Sequence, residues 1–306
     1  IEWLVPYGPG GGFDTLTRLA AAYVGTHTGA KIAVVNMPGG GKMKAANYLY
    51  KIAEPDGLTL ITASPPSYVP LQMLGAEGCE YDLPKFEWVA NLNGRESIFF
   101  IDANLPYKTL ADLRQIGELK ITTGAPGDGV DMACKLILGE AMGMNLKMIY
   151  GESSSVEHGM MTMRGEVHAA MSNYSVAGPL FKEGTLRPLF ALTAERITDM
   201  PDLPSVYEAL PTDISADGKF WVDFVVGQSV LCRTVATSPG APKDRVDFLR
   251  EAFKKACAEE KLMSNAAKVG QALSFLSGEE TQTMMVKMMD LNPDKLAKYK
   301  AMAGIK

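Results

Sequence analysis

The residues best placed to do chemistry come almost at once, in the run Pro6-Tyr7-Gly8-Pro9-Gly10-Gly11-Gly12-Phe13-Asp14. Positions 2–5, Glu-Trp-Leu-Val, read as a short strand leading into it. Beyond it Leu16, Leu19, Ala20, Tyr23 and Val24 recur at helical spacing, which predicts a helix over 15–24. Asp14 stands just before that pattern as a candidate N-cap. Glycine admits positive φ and lets a ligand approach the backbone. A helix start offers unpaired N–H groups and the positive end of its dipole. Together these make an anion site, and a side chain added at Gly12 is expected to obstruct it. A tight strand-to-helix turn without a ligand is the competing reading of the same residues.

Nucleotide patterns fail on inspection. The phosphate-loop pattern GxxxxGK[ST] needs a glycine where Asn36 stands and a hydroxyl where Met43 stands. The dinucleotide pattern GxGxxG would place its last glycine at Phe13 or at Thr15. A smaller anion, a carboxylate, fits better.

The elements that position this run follow an α/β rhythm. Strands are expected over 31–35 and 58–63, with a helix over 42–53 between them. Further strands are expected over 97–101, 119–123, 146–150, 167–171 and 186–192, with helices over 110–116, 131–142 and 156–164. Loops at strand ends then gather Ser64 and Pro65, Gly127 to Asp131, Glu152 and Ser153, and Ser172 to Tyr174. In open α/β sheets ligands bind at the carboxyl ends of strands. The strand–loop–helix rhythm restarts near residue 119, which implies a second lobe. The apolar 221–235 stretch reads as a return crossing, and the tail from Lys243 as helical and free of strands. The expected division is 1–101 and 225–306 in one lobe and 102–224 in the other, with two crossings forming a hinge.

Composition narrows the partners. The 306 residues are 47% hydrophobic with a net charge of −5 and no basic cluster, which argues against nucleic acid. No apolar run reaches the roughly 20 residues of a membrane span. Cys79, Cys134, Cys232 and Cys257 lie far apart, in neither a redox pair nor a metal pattern, and read as free buried thiols. His27, His158 and His168 form no zinc motif, and Gly151-Glu152-Ser153-Ser154-Ser155 lacks the closing glycine of a nucleophile elbow. Neither a metal nor a cofactor is expected, and no catalytic residue is assigned. The chain starts inside a strand at Ile1, so a processed N-terminus that has lost an export signal is expected.

These stretches, taken in order, resemble the Bug family, the extracytoplasmic solute-binding proteins of tripartite tricarboxylate transporters. The opening run is similar to that family's Pro-x-x-Pro-Gly-Gly-x-x-Asp loop, and Val34-Val35-Asn36-Met37-Pro38-Gly39-Gly40-Gly41 to its VVENRPGAGG stretch. Ala53-Glu54-Pro55-Asp56-Gly57-Leu58-Thr59-Leu60 resembles its A-PDGYTL turn, and Leu105-Pro106-Tyr107-Lys108-Thr109-Leu110-Ala111-Asp112-Leu113 its LPaKTLaDL segment. Met200-Pro201-Asp202-Leu203-Pro204-Ser205-Val206 and Ser238-Pro239-Gly240-Ala241-Pro242 resemble its lPDvPTv and aPpGTP segments. Each is weak alone, but the series runs over nearly the whole chain.

The resemblance implies a type II periplasmic-binding-protein fold, with two α/β lobes around a hinged ligand cleft and no catalysis. It implies a periplasmic monomer that captures a small organic acid and delivers it to the membrane subunits of a transporter. The ligand positions it implies are Tyr7, Gly8, Gly11, Gly12, Phe13, Asp14, Ser64, Pro65, Gly127, Gly129, Val130, Asp131, Glu152, Ser153, Ser172, Asn173 and Tyr174. Tyr68 and Tyr150 also lie on cleft loops, where aromatic rings either stack on a ligand or simply pack. Two departures matter. The family's second-lobe loop runs Gly-x-Gly-Thr/Ser-Ser where this chain has Gly127-Asp128-Gly129-Val130-Asp131, and its Tyr-x-Gly-Ser loop is here Tyr150-Gly151-Glu152-Ser153. If Asp131 and Glu152 face the ligand, a second carboxylate is repelled and a monocarboxylate is favoured, with an aromatic ring, an amine or a hydroxyl at its other end. If Asp131 only caps its helix, that preference loses its ground. A ligand sensor signalling to a membrane partner is the alternative, and a hydrolase or transferase on the same fold the more remote one.

Overall fold

The computed structural model describes residues 1–151 and 155–304. The chain opens with β1 (Glu2–Val5), α1 (Gly12–Thr28), β2 (Ala33–Asn36), α2 (Met43–Lys51), β3 (Thr59–Ala63), α3 (Pro65–Leu74) and β4 (Glu87–Asn91). Next come β5 (Ser97–Asp102), β6 (Leu119–Thr123), α4 (Gly129–Cys134), β7 (Leu146–Tyr150), α5 (Ser155–Met163), β8 (Ala169–Asn173) and α6 (Tyr174–Phe181). They are followed by β9 (Leu186–Ala191), α7 (Val206–Ala209) and α8 (Ala216–Val230). The last part holds β10 (Thr234–Thr237), α9 (Lys243–Cys257), α10 (Glu260–Lys268), β11 (Leu276–Ser277), α11 (Gly278–Met289) and α12 (Pro293–Met302).

Two compact units result. The first comprises Ile1–Gly94 and Leu231–Leu296; the second comprises Arg95–Val230 and the residues from Ala297. The first carries a sheet of order β11-β4-β10-β3-β1-β2, the second one of order β7-β6-β8-β5-β9. Apart from β11, the two orders are the same: second, first, third, a strand inserted antiparallel, then the fourth. The inserted strand is β10 in the first unit and β5 in the second.

The unit boundaries differ from the sequence expectation. Residues 97–101 belong to the second unit, because β5 hydrogen-bonds to both β8 and β9 and its side chains from Ser97 to Ile101 are buried there. The 221–235 stretch is largely helix: α8 runs to Val230, and only from Thr234 does the chain enter a strand. The tail is not free of strands, since β11 pairs with β4. Nor does the tail stay in one unit. Tyr299 is buried in the second, 5.8 Å from the Phe224 ring and 6.2 Å from the Trp221 ring. The chain therefore changes unit three times, not two.

The first unit's core gathers Trp3 from β1, Leu16 and Val24 from α1, Leu60 from β3 and Phe253 from α9. Trp3 and Phe253 meet edge to face at 5.1 Å, and truncating Phe253 to Ala should cost about 3–5 kcal/mol. The second unit's core includes Phe100, Ala170, Ala177 and Leu186, with Phe99 and Phe190 stacked at 5.2 Å. None of the four cysteines is in a disulfide; Cys134, Cys232 and Cys257 are buried, and Cys79 is half-buried.

Two matching glycine loops, one open and one self-capped

The predicted loop joins β1 to α1, but its helix begins earlier than the periodicity suggests. Gly11 is the N-cap of α1, with extended φ −78° and ψ 168°, and Asp14 lies inside the first turn. Asp14 does not cap; it latches the loop. The Gly10 amide donates to Oδ2 at 2.9 Å, the Arg18 guanidinium to both oxygens, and Asn36 Nδ2 to Oδ1 at 2.8 Å. The carboxylate is buried. Burial alone would raise its pKa, but the bonds from Arg18, Gly10 and Asn36, with the Arg18 charge, hold it below its ordinary 3.8. Gly10 sits at φ 84°, which lets its N–H turn back onto the aspartate.

The loop between β6 and α4 in the second unit repeats this device. Pro126-Gly127-Asp128-Gly129-Val130-Asp131 matches Pro9-Gly10-Gly11-Gly12-Phe13-Asp14, and Lys135 stands where Arg18 does. The Gly127 amide, at φ 76°, donates to Asp131 Oδ2 at 2.8 Å. Lys135 Nζ donates to the same oxygen at 2.8 Å. The Tyr150 hydroxyl, at the end of β7, donates to Oδ1 at 3.2 Å, much as Asn36 at the end of β2 serves Asp14. Asp131 is fully buried, so it neither caps α4 nor turns a bare charge outward.

The cap of the second loop is Asp128, which the sequence pattern does not single out. Its φ −69° and ψ 167° nearly match those of Gly11. Its Oδ1 accepts from the Val130 and Asp131 amides at 2.9 and 2.8 Å, and its Oδ2 from the Ala125 amide at 2.9 Å. The corresponding amides of the first loop, Phe13 and Asp14, receive no side-chain cap. An ideal Cβ placed at Gly8, Gly10 or Gly11 would meet nothing within 4 Å. Gly12 is different: a Cβ there would lie 3.0 Å from Arg233 Nη2 and from Gln271 Nε2. Gly12 thus makes room for its own unit's side chains, and the open approach is over Gly8, Gly10 and Gly11.

Two cations stand at the first loop. Tyr7 and Phe13 stack at 4.3 Å. The Lys42 ammonium lies 5.4 Å from the centre of the Tyr7 ring, and the Arg233 guanidinium 4.6 Å from that of Phe13. Arg233 donates through Nη1 to Asn93 Oδ1 at 2.9 Å. Lys42 donates to Ser67 Oγ at 3.1 Å, and Ser67 Oγ lies 3.3 Å from Ser64 Oγ. Sequence reasoning missed both cations. Their signal is faint: Lys42 follows a glycine run, and Arg233 is a lone charge after an apolar stretch.

The remaining sequence candidates divide. Ser64 and Pro65 are buried at the start of α3, where the sequence reads as a loop. Tyr68 is fully buried and donates its hydroxyl to the Lys42 carbonyl at 3.1 Å, so it is packing. In the second unit Gly129 and Val130 are half-buried at the start of α4. Ser172, next to last in β8, is fully buried, its Oγ without a hydrogen bond among the described residues, like Oγ1 of Thr123 at the end of β6. Asn173 is the N-cap position of α6, and Tyr174 packs beside Ile98, Ala191, Ile197 and Leu203. Glu152 and Ser153 lie outside the described residues. Among the described residues no cluster of His, Cys, Asp and Glu is suited to a metal.

A TctC solute-binding protein from Polaromonas has this fold, with a TM-score of 0.78 at 20% identity over 99% of this chain and 97% of that one. An R. palustris protein solved with adipate has a TM-score of 0.72 at 22% identity over 100% of this chain and 97% of its own. In sequence, a UPF0065 protein of Bordetella bronchiseptica is 24% identical over 296 residues, 93% of this chain and 81% of its own length. Residues 16–287 match the family described as tripartite tricarboxylate transporter family receptor, and the chain belongs to that family. It is accordingly a substrate-binding receptor and not an enzyme.

Proposed function

We propose that this receptor works in the periplasm, takes up a small organic acid by one carboxylate on the first unit's glycine loop, and delivers it to the membrane subunits of a tripartite transporter. The observation that carries this reading is the uncapped start of α1, where Phe13 and Asp14 amides lack the side-chain acceptor that their counterparts Val130 and Asp131 have. Backbone amides at a helix start suit a carboxylate. Lys42 and Arg233 add positive charge beside them. No helix among the described residues is long and apolar enough to cross a membrane.

A monocarboxylate, aromatic at its other end, is the finer form of the proposal. Repulsion by Asp131 does not support it, because Lys135 compensates that charge within the loop. The second loop is instead already filled by a carboxylate of the chain's own, Asp128, which favours a ligand gripped by a single acid group. The stacked Tyr7 and Phe13 offer an apolar flank for a ring. A thermal-shift screen of aromatic, aliphatic mono- and dicarboxylic acids tests this. Ligand at a hundred times its Kd stabilises the native state by about 2.7 kcal/mol. Benzoate-like acids should give the largest shift. A dicarboxylate such as adipate or succinate as the tightest ligand would remove the monocarboxylate preference, and no shift with any acid would remove the whole reading.

A further inference from the structure

Lys42 has a backbone that its residue type disfavours. It adopts φ 80°, and it is the one non-glycine residue with positive φ among the described residues. Gly39, Gly40 and Gly41 before it have φ of 130°, 55° and 60°, so four consecutive residues take left-handed or otherwise glycine-like conformations. A fourth glycine would satisfy that path without steric conflict. A long, charged side chain there needs a reason, and a residue held in a sparsely populated conformation points to function more often than to packing.

The side chain does little for the fold. Lys42 is half-buried, and none of the ion pairs among the described residues includes it. Its single hydrogen bond goes to the Ser67 hydroxyl, a neutral and weak partner for an ammonium. What the left-handed backbone achieves is placement. The ammonium is carried to the Tyr7 ring, at the loop whose Gly8, Gly10 and Gly11 face open space. The backbone carbonyl of the same residue is pinned by the buried Tyr68 hydroxyl at 3.1 Å, which fixes the stem from below. Arg233 stands at the Phe13 end of the stacked ring pair. Arg233 is held by Asn93 and is almost fully buried, so the adjustable cation at this loop is Lys42.

We propose that Lys42 is a specificity-determining residue: its ammonium pairs with the ligand's acid group, and the glycine run with its left-handed terminus exists to present it. The proposal rests on the reading that the first loop receives an organic acid. It adds that charge, not backbone amides alone, sets the preference for acids over neutral analogues.

The test uses the full chain and three variants, Lys42→Gly, Lys42→Gln and Lys42→Arg, titrated by calorimetry with benzoate, adipate and the neutral analogue benzamide. Lys42→Gly should melt at or above the wild-type temperature, since glycine suits the backbone, yet bind the preferred acid at least tenfold more weakly. Lys42→Gln should show the same loss, and Lys42→Arg should recover affinity to within a few fold. Raising salt from 50 to 500 mM, a change of about tenfold in ionic strength, should weaken wild-type binding more than that of Lys42→Gly. Wild-type affinity retained in both Lys42→Gly and Lys42→Gln would overturn the role of Lys42 and leave the acid-binding loop standing. A wild-type chain that binds neither acid would overturn the reading beneath it and this proposal together.

Discussion

The two glycine loops share one frame and differ at one decisive position. Each runs Pro-Gly-x-Gly, an apolar residue, then Asp, with a basic residue four further on. In each, a left-handed glycine turns its amide onto the buried aspartate and the basic residue closes the latch. Where the first loop has Gly11, the second has Asp128, at nearly the same backbone angles. The first loop leaves its helix amides open; the second satisfies them internally. One frame thus yields either a receiving site or a sealed turn, and a single carboxylate makes the difference.

The largest effects should follow from breaking the latches. Asp131→Ala leaves Lys135 charged and mostly buried, and should cost about 3–5 kcal/mol. Asp14→Ala leaves Arg18, whose side chain is 48% exposed and can turn to water, so about 1–3 kcal/mol is expected. Urea melts of both variants would check the order. Equal losses would mean that the two latches do not differ in the way their basic partners suggest.

Converting one loop into the other should act mainly on binding. Gly11→Asp copies the second loop into the first, at backbone angles an aspartate already adopts in this chain. The acid should lose at least about 1.4 kcal/mol, a tenfold drop, with stability unchanged or raised. Calorimetry with unchanged affinity in a well-folded variant would show that the open amides are not the grip. The converse, Asp128→Ala, should lower stability by about 1 kcal/mol, the usual value of an N-cap, and leave acid affinity at the first loop intact.

Acid should separate the units more gently. Burial keeps His158 below its ordinary 6.5 against the charges of Asp128 and Glu157, and burial with the Lys120 charge does the same for His168 against Glu118 and Asp102. Both belong to the second unit. Because the unfolded chain takes these protons first, their contribution is present above pH 6.5 and is lost as pH falls through that value toward the folded pKa. The Asp14 contribution is present above 3.8 and is lost only as pH falls below it. Hydrogen exchange at decreasing pH should therefore show protection in α5 and β8 declining before that around the Asp14 latch.

Much of this frame can be read from the sequence, and the exceptions have physical causes. Strands β1, β6 and β7 fall where alternation and apolar runs place them, because their ends are set by Gly, Pro and Asn. The helix α3 reads as a loop in sequence because two prolines open it, although proline is tolerated in a first helical turn. The stretch of α8 is apolar on every side, so it shows no helical face, and its β-branched residues suggest an extended chain. Asp14 and Asp131 stand at the right spacing for caps, but caps and latches look alike in one dimension; in these two loops the extended backbone of a cap belongs to Gly11 and Asp128. Lys42 and Arg233 reach the loop from segments 28 and 220 residues beyond Asp14 and Phe13 respectively, a convergence that no local pattern announces.

The most direct measurement is the response of individual amides to ligand. In a 15N-labelled sample saturated with the acid that gives the largest melting shift, the Gly12, Phe13 and Asp14 amide protons should move downfield as they acquire a carboxylate acceptor, while those of Val130 and Asp131, already bonded to Asp128, should hold their positions. Shifts confined to Val130 and Asp131, with Phe13 and Asp14 unmoved, would contradict the account.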